Sequence, residues 1–250
     1  PPEFFLTLYP HQRINRIPSM HIMCYKNSTF NAFNKMKDIS KDLFNFFPHT
    51  YLLPEQLAKF KSDAEAIAKR EAQKKSTKQP NPDSDPTTWI FKPKSGQCGI
   101  GIQLFQDCKQ ITAQYSGIVQ NYIAPHLIDG FKFDFRMYVF VPTLDPLTIF
   151  IYKEGLARFC SGKYVKPNSQ NMNDLYIHLT NTSVNVKNQD AHNEILQSFS
   201  TVFRRIGKPE LWMKIKKVAA LSIIAQYHSI VAHVDEEEKL TGNIITQRPI

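Results

Sequence analysis

Long apolar runs are missing from this sequence. The best candidate, Val218 to Ala225, is interrupted by Ser222 and is too short to span a bilayer, so we expect no membrane partner. An initiator methionine is also missing. The chain begins with Pro1-Pro2-Glu3, which does not have the layout of a signal peptide. We therefore expect the chain to be a piece of a longer reading frame.

Cysteine is scarce, and no Cys-x-x-Cys pair is formed by Cys24, Cys98, Cys108 and Cys160. Scattered cysteines suggest neither a zinc site nor a disulfide framework, and they fit a reducing compartment. No Ser-His-Asp or His-Glu-x-x-His arrangement is apparent either, which argues against two common hydrolase classes.

Acidic residues are fewer than basic ones, with 22 Asp and Glu against 31 Lys and Arg, and the formal net charge is +9. A basic surface attracts an acidic partner, which can be nucleic acid, an anionic membrane or an acidic protein segment. The sequence carries no RNA-binding or helix-turn-helix signature, and its lysines are spread along the chain. A basic nucleic-acid binder, which predicts steeply salt-dependent affinity for any duplex, is therefore the alternative that we expect least.

Hydrophobic periodicity predicts helices in the two ends of the chain. The predicted helices cover 30–44, 54–75, 192–206 and 209–234. Pro54 lies in the first turn of the second of these, and the last is apolar on nearly all sides and is expected to be buried. A proline-rich loop is expected at 76–88, a polar loop at 160–177, and a solvated break at 235–239.

The middle of the chain alternates instead with period two. Trp89–Phe91 and Ile102–Phe105 predict a hairpin around a glycine-rich turn at 96–101. Further strands are predicted at 118–123, 132–141 and 147–152. Together they predict a mostly antiparallel sheet with one polar face, and no internal repeats are present.

Lys92 is the first candidate site residue, because it follows a strand and faces the glycine-rich turn. Backbone N–H groups of glycines approach phosphate oxygens closely, so the stretch is typical of a phosphate site. It is not a Walker A loop, since no Gly-Lys-Ser/Thr follows. A plain hairpin with a glycine turn remains an open alternative.

Lys132, Asp134 and Arg136 alternate, so in a strand they project to one face. Three charges on one face are costly to bury without a bound charge or mutual pairing, and Arg136 can clamp a phosphate. A solvated sheet face is the alternative. Arg158 suits a carboxylate or a transferring phosphoryl group, or else a surface ion pair with Glu154.

Small polar residues follow an apolar triplet near residue 180. Thr180, Asn181 and Ser183 can hydrogen-bond a ribose or a substrate, or can simply cap a turn. His178 is the histidine within these motifs, and we expect a hydrogen-bonded structural role for it.

Taken together, the motifs between Phe46 and Asn185 resemble the tubulin tyrosine ligase-like family, whose members have an ATP-grasp fold. The resemblance is carried by Trp-Ile-Phe-Lys-Pro with Gly-Ile-Gly-Ile (89–102), Val-Gln-Asn-Tyr-Ile (119–123), Leu-Ile-Asp-Gly-Phe-Lys-Phe-Asp-Phe-Arg-Met-Tyr-Val (127–139), Glu-Gly-Leu-Ala-Arg-Phe (154–159) and His-Leu-Thr-Asn (178–181). The glycine loop and Arg-Phe-Cys look most like the polyglutamylase branch.

The resemblance implies a role for each matched residue. Residues implied to bind ATP are Lys92, Gly99, Ile100, Gly101, Ile102, Gln120, Asn121, Tyr122, Ile123, Lys132, Asp134, Thr180 and Asn181. Arg136 and Arg158 are the implied catalytic residues, and Arg158 with Ser183 would hold the incoming amino acid. The implied chemistry is ATP-dependent ligation of an amino acid to a protein glutamate through an acyl-phosphate.

Several positions depart from the family pattern. Ile100 stands between the loop glycines where a polar residue is frequent, Thr182 replaces the usual Tyr, and Val186 replaces the usual Lys. The family's magnesium ligands lie in a later Asp and a Glu-x-Asn motif, which we expect beyond Ile250. Because phosphoryl transfer relies on a metal, we expect these residues alone not to be catalytically competent.

The resulting expectation is an α/β (α+β) ATP-grasp fold of mostly antiparallel sheets flanked by helices, with its C-terminal part missing. Three lobes are predicted, at 1–88, 89–124 and 125–250. The expected function is a tubulin polyglutamylase using ATP and magnesium to add glutamate to acidic tubulin tails. The open alternatives are a glycine or tyrosine ligase of the same family and a non-catalytic nucleotide- or microtubule-binding module.

The resemblance also implies where the protein works and with what. We expect a monomer that binds tubulin or microtubules through their acidic C-terminal tails, without a nucleic-acid partner. The expected location is the cytoplasm and cytoskeleton, including the axoneme or basal body of a cilium.

Overall fold

The computed structural model describes residues 20–76, 86–96, 98–188 and 195–241, together with positions 7, 9 and 17. The chain forms two compact units. The site unit comprises Pro48–Phe135 and Ala157–Gln197, and the helical unit comprises Pro1–Phe47, Arg136–Leu156 and Ser198–Ile250. Each unit is assembled from separated stretches, whereas the predicted lobes are consecutive, and the lobe boundaries stay a prediction.

The site unit contains a four-stranded antiparallel sheet with strand order β1-β4-β2-β3. Its strands are β1 (Thr50–Leu53), β2 (Trp89–Pro93), β3 (Gln103–Phe105) and β4 (Gly117–Asn121). The predicted hairpin is confirmed, because β2 pairs with β3 and Ile90 lies opposite Leu104. A 3₁₀ turn, Cys108–Gln110, follows β3.

An aromatic core fixes one face of this sheet. Helix α2 (Leu57–Ser76) buries Phe60 completely. The Phe60 ring lies 5.3 Å from that of Tyr51, 5.2 Å from that of Trp89 and 6.0 Å from that of Phe105, centroid to centroid. Such edge-to-face packing stabilises beyond the burial of area alone, so β1, β2 and β3 are held in one orientation.

A second four-stranded sheet has the order β5-β6-β7-β8. Its strands are β5 (Leu127–Ile128), β6 (Phe131–Leu144), β7 (Leu147–Phe159) and β8 (Leu196–Ser198). The long strands β6 and β7 contribute residues to both units. The short helices α3 (Leu175–His178) and α4 (Thr182–Asn185) belong to the site unit.

The helical unit has an aliphatic core. Its helices are α1 (Lys26–Ile39), α5 (Phe199–Ile206) and α6 (Leu211–Thr241), and a 3₁₀ turn covers Met20–Cys24. Its core cluster contains Val141, Leu144, Ile223, Ile230 and Val234. Within the described part of the chain, no helix combines the length and apolarity that a membrane span needs.

Several predicted helix boundaries are wrong. Helix α1 ends at Ile39, and Phe44 leaves it to pack its ring 5.9 Å from that of Phe33. Helix α2 begins after Pro54, at Leu57, since a turn bonded from Leu57 N–H to the Pro54 carbonyl precedes it.

The C-terminal helix differs most from its prediction. Instead of breaking at 235–239, α6 continues to Thr241, because Val234 is fully buried and the Glu and Lys residues that follow are good helix formers. The predicted helix 192–206 begins at Phe199, after β8, and its positions 192–194 lie outside the described residues.

Candidate nucleotide-binding site

Lys92 is held by a buried hydrogen-bond chain that crosses three strands. Thr50 lies opposite Gln120 in the β1–β4 pair, and Ile90 lies opposite Gln120 in the β2–β4 pair, so Lys92 is a diagonal neighbour of Gln120 on the same face. The Lys92 Nζ donates to Gln120 Oε1 at 2.7 Å, and Gln120 Nε2 donates to Thr50 Oγ1 at 2.8 Å. The chain leaves both ends of the buried Gln120 amide satisfied.

Lys132 lies at the centre of a second network. Its Nζ donates to Tyr122 Oη at 2.9 Å and to the His178 carbonyl at 2.7 Å, and it lies 4.3 Å from the centroid of the Tyr122 ring. Burial lowers the pKa of Lys132 to about 8, and the positive charge of Lys92 acts in the same direction. A partly buried amine whose pKa is lowered by the charge of a second lysine is a favourable position for a bound anion.

The His178 ring completes this network from α3. It is fully buried, and its Nδ1 lies 3.3 Å from Tyr122 Oη. Burial lowers the pKa of His178, and the charge of Lys132 lowers it further, so the ring is neutral and Nδ1 can accept the Tyr122 hydroxyl proton. The structural role expected for His178 is thus to orient Tyr122 and, through it, Lys132.

Asp134 and Arg158 form one ion pair between β6 and β7. Arg158 Nε donates to Asp134 Oδ1 at 2.8 Å, and its Nη2 donates to Oδ2 at 2.5 Å. The alternative partner from the sequence, Glu154, is occupied elsewhere, because its Oε1 accepts from the backbone N–H groups of Gly155 and Ser200. A bidentate pair of this kind aligns the planar guanidinium.

The glycine-rich loop lies against the residues around α4. Ser183 Oγ donates to the Cys98 carbonyl at 3.0 Å. Gly99 has a φ of +88°, and a Cβ there would lie 3.0 Å from Val184 Cγ2 and 3.4 Å from Asn181 Oδ1. Glycine is therefore required at 99 by both the backbone conformation and the close approach of α4.

Asn185 is a buried residue whose importance sequence reasoning missed. Its Oδ1 accepts from Ser161 N–H at 2.7 Å, and its Nδ2 donates to the carbonyls of Leu179 and Asn181. These bonds fix the turn that presents Thr180 and Asn181. The signal was available, because Asn185 closes the polar run after His-Leu-Thr-Asn.

The remaining predicted residues have different environments. Ile100 and Ile123 are strongly exposed, whereas Ile102 and Tyr122 each pack against the cluster formed by Ile90, Leu104 and Leu179. Asn121 and Tyr122 use their backbone N–H groups to bond the carbonyls of His49 and Thr88. The Asn121 Oδ1 atom is buried without a hydrogen bond among the described residues.

Arg136 is assigned to the other unit, and its expected catalytic role stays a prediction. It lies on β6 within the helical unit and is exposed, whereas Lys92, Lys132, Asp134 and Arg158 all belong to the site unit. Within the described ranges, no group of three or more His, Cys, Asp or Glu side chains is placed to hold a metal ion. The expectation that the magnesium ligands lie beyond Ile250 stays a prediction.

The fold and the site together define the class of protein. A solved structure that resembles the chain is the C-terminal domain of Pby1 from K. lactis, an ATP-grasp enzyme interacting with the mRNA decapping enzyme Dcp2. It matches with a TM-score of 0.52 and 18% identity, over 84% of this chain and 57% of that one. The predicted ATP-grasp fold is thereby confirmed.

The family follows from the sequence itself. The model of the tubulin-tyrosine ligase family matches residues 6–240, and the chain belongs to this family. Similar curated proteins include tubulin polyglutamylase ttll-11 of Caenorhabditis elegans, 33% identical over 90% of this chain, and tubulin polyglutamylase TTLL7 of Mus musculus, 37% identical over 75% of it. The chain spans 33% of the length of the first relative and 19% of the second.

Proposed function

We propose that this chain is the nucleotide-binding part of an ATP-dependent ligase that adds glutamate to glutamate-rich tails of tubulin. The relatives named above are tubulin polyglutamylases, which supports tubulin as the protein substrate. Enzymes of the ATP-grasp class and of this family use ATP and a divalent metal in general. The proposed location is the cytoskeleton, including the axoneme of a cilium.

The observation that carries the proposal is the pair of cations in the site unit. Lys92 and Lys132 each make a hydrogen bond of 2.7 Å that fixes the ammonium group, and the charge of Lys92 lowers the pKa of Lys132. Like charges in a partly buried site repel each other, and a bound anion offsets this repulsion. The triphosphate of ATP supplies such an anion, and the glycines at 99 and 101 allow backbone N–H groups to approach it.

The other predicted residues receive roles around these cations. Gly99 to Ile102 would cover the phosphates, Gln120 to Ile123 would contact the adenine, and Thr180 with Asn181 would contact the nucleotide. Asp134 would line the pocket. Arg158 and Ser183 would bind the incoming amino acid, whose carboxylate would share the Arg158 guanidinium with Asp134.

The proposed reaction has two steps. A carboxylate oxygen of a tail glutamate attacks the γ-phosphorus of ATP, and ADP leaves with the pair of electrons of the broken P–O bond. The amine of free glutamate then attacks the acyl carbon, loses a proton and forms an amide. Inorganic phosphate leaves with the original carboxylate oxygen. Positioned cations lower the barrier of such a step by stabilising the charge that develops on the phosphoryl oxygens.

The direct test uses the full-length protein with microtubules, ATP, magnesium and a mixture of glutamate, glycine and tyrosine. Mass spectrometry of the tubulin tail peptides should detect glutamyl additions with wild-type protein and at least ~100-fold fewer with Lys92→Ala. Lys94→Ala is the matched control, because Lys94 is exposed just beyond β2. Glycyl or tyrosyl additions would change the amino acid but keep the mechanism.

Two further results would count against the proposal. Folded wild-type protein that binds microtubules but adds no amino acid would favour the non-catalytic module. The acyl-phosphate is tested separately with tail peptide labelled with oxygen-18 in its glutamate carboxylates. Release of labelled phosphate is the predicted result, and ligation with unlabelled phosphate would exclude this intermediate.

A further inference from the structure

The tip of the glycine-rich loop, residues 98–101, has a strained backbone. Cys98 has a φ of +55° and Gly99 a φ of +88°. A positive φ is uncommon for a residue with a side chain, and it persists only where surrounding contacts fix it. Glycine can adopt this conformation unaided, but the cysteine at 98 requires such contacts.

These contacts come from α4, whose Ser183 is 85 positions from Cys98 in the sequence. Ser183 Oγ donates a hydrogen bond of 3.0 Å to the Cys98 carbonyl, so it fixes the peptide unit between the two residues with positive φ. The Gly99 backbone lies against the next residue of α4, since a Cβ built there would meet Val184 Cγ2 at 3.0 Å. The loop tip thus rests on α4 through one hydrogen bond and one close contact.

The α4 side of this contact is itself fixed. Asn185 is fully buried, and its Oδ1 accepts from the Ser161 N–H at 2.7 Å. Its Nδ2 donates to the carbonyls of Leu179 and Asn181. A side chain that satisfies buried backbone groups on both sides of a turn makes the turn rigid. The loop tip, where Ile100 is 74% exposed, therefore takes its position from α4.

We propose that Ser183 is a positioning residue of the glycine-rich loop: its hydroxyl anchors the tip to α4 and holds it in place to cover the phosphates. The proposal rests on the proposed function in one respect, because it takes the ATP phosphates to lie under this loop. An anchored loop has already lost much of the conformational freedom that binding would otherwise cost. ATP should therefore bind more tightly with the anchor than without it.

The anchor also restricts what else the Ser183 hydroxyl can bind. A serine hydroxyl has one donor and two acceptor lone pairs, and the Cys98 carbonyl uses the donor. The oxygen can still accept from the amine of an incoming amino acid, but it cannot donate to a carboxylate until the tip is released. The anchoring role and the amino-acid role implied for Ser183 are therefore separated by measuring ATP binding without any amino acid.

Loss of the anchor should be a local event. Ser183 is exposed, and an exposed hydrogen bond adds little to the stability of the whole fold. Ser183→Ala should therefore fold normally and keep the melting temperature of the wild type, while the loop tip opens more frequently. Ser183→Thr keeps a hydroxyl at the same place and should restore the anchor.

The test is amide hydrogen exchange of the full-length protein, measured by mass spectrometry after millisecond labelling without ATP. Amides at 98–102 should exchange at least about threefold faster in Ser183→Ala than in the wild type, the effect of losing one hydrogen bond. Ser183→Thr should exchange like the wild type. The matched control is Ser169→Ala, which removes the same hydroxyl from an exposed serine in the polar loop of the site unit, and it should also leave this exchange unchanged.

ATP binding, measured by calorimetry without any amino acid, provides the second readout. Ser183→Ala should lose about threefold to tenfold in affinity, whereas Ser183→Thr and Ser169→Ala should stay within about twofold of the wild type. Unchanged exchange at 98–102 in Ser183→Ala would overturn the proposal. Unchanged ATP affinity together with weaker binding of glutamate would also overturn it, since Ser183 would then serve the amino acid alone. Faster exchange throughout the site unit would count against it too, because Ser183 would then stabilise the whole unit.

The two readouts separate this proposal from the proposed function. If the wild type binds no ATP but exchange at 98–102 is still faster in Ser183→Ala, the proposed function fails and the anchor stands. If ATP binding depends on Lys92 but Ser183→Ala changes neither exchange nor affinity, the anchor alone fails.

Discussion

The two units differ in how many polar side chains they bury among the described residues. In the described part of the site unit, the buried polar residues are Thr50, Thr88, Gln120, Ser161, His178 and Asn185, whereas the described part of the helical unit buries Gln226. Burying polar groups costs free energy unless they are hydrogen-bonded. Their concentration in one unit identifies the region where the fold positions charges, while the other unit provides an apolar core.

The aromatic core of the site unit should be the most sensitive part of the molecule. Phe60→Ala removes a fully buried ring and should lower the free energy of unfolding by about 4 kcal/mol. It should also abolish the stabilisation by ATP, because β1, β2 and Lys92 lose their support. Thermal denaturation with and without ATP measures both effects.

The matched change in the helical unit is Ile230→Ala, at a position that is also fully buried. It should cost about 3 kcal/mol and leave the increase in melting temperature with ATP unchanged. Loss of the ATP effect in Ile230→Ala would contradict the assignment of nucleotide binding to the site unit alone.

Breaking the Asp134–Arg158 pair should have the next largest effect. Asp134→Asn leaves the guanidinium, 18% exposed, without its counter-ion, and we expect a loss of about 2 kcal/mol, between the values for surface and buried pairs. Glu154→Gln in the helical unit is the control, since an amide oxygen still accepts from Gly155 and Ser200. Urea denaturation measures both variants, and equal losses of unfolding free energy for Asp134→Asn and Glu154→Gln would contradict a stabilising role of the Asp134–Arg158 pair.

Thr50→Val tests the hydrogen-bond chain that runs from Thr50 through Gln120 to Lys92. Removing the hydroxyl leaves the buried Gln120 Nε2 without its acceptor, which should cost about 1.5 kcal/mol. It should also weaken ATP binding by about threefold, because Gln120 no longer fixes Lys92. Thr143→Val, which removes a bond to the Pro146 carbonyl in the helical unit, should leave ATP affinity unchanged in isothermal titration calorimetry.

The smallest predicted effect is a pH dependence. The pKa of Lys132 is about 8 in the free protein, and bound phosphates would raise it. Binding of ATP should therefore take up protons as the pH rises through about 8, and affinity should fall above that value, while at pH 7 the amine is already charged and uptake is small. Calorimetry in two buffers with different ionisation enthalpies measures the uptake.

Lys132→Arg provides the control for this dependence. An arginine stays charged over the whole range, so the variant should bind ATP without proton uptake near pH 8, whatever its absolute affinity. Uptake that persists in Lys132→Arg would assign the proton to another group.

The sequence predicted the backbone of the site well and its side-chain partners poorly. The hairpin, the glycine-rich turn and the alternation of Lys132 with Asp134 are local patterns with a period of two residues. The Thr50–Gln120–Lys92 chain depends instead on the register of three antiparallel strands. Register is set by tertiary packing, so a local pattern cannot reveal it.

Two differences between sequence and structure have the same origin. The alternative partner considered for Arg158 was Glu154, four residues away, whereas the structure supplies Asp134 from the neighbouring strand. The break at 235–239 was predicted from a run of charges, but the buried Val234 anchors the helix before it. In both places, a contact distant in sequence outweighs the local signal.

The most direct test of the central claim is the binding of ATP to the full-length protein, measured by calorimetry for wild type, Lys92→Ala and Lys94→Ala. We predict that Lys92→Ala loses at least about tenfold in affinity, the value of one charged hydrogen bond to phosphate, while Lys94→Ala binds as wild type does. Equal affinities for all three proteins would contradict this prediction, because the partly buried cations of the site unit would then not bind the nucleotide.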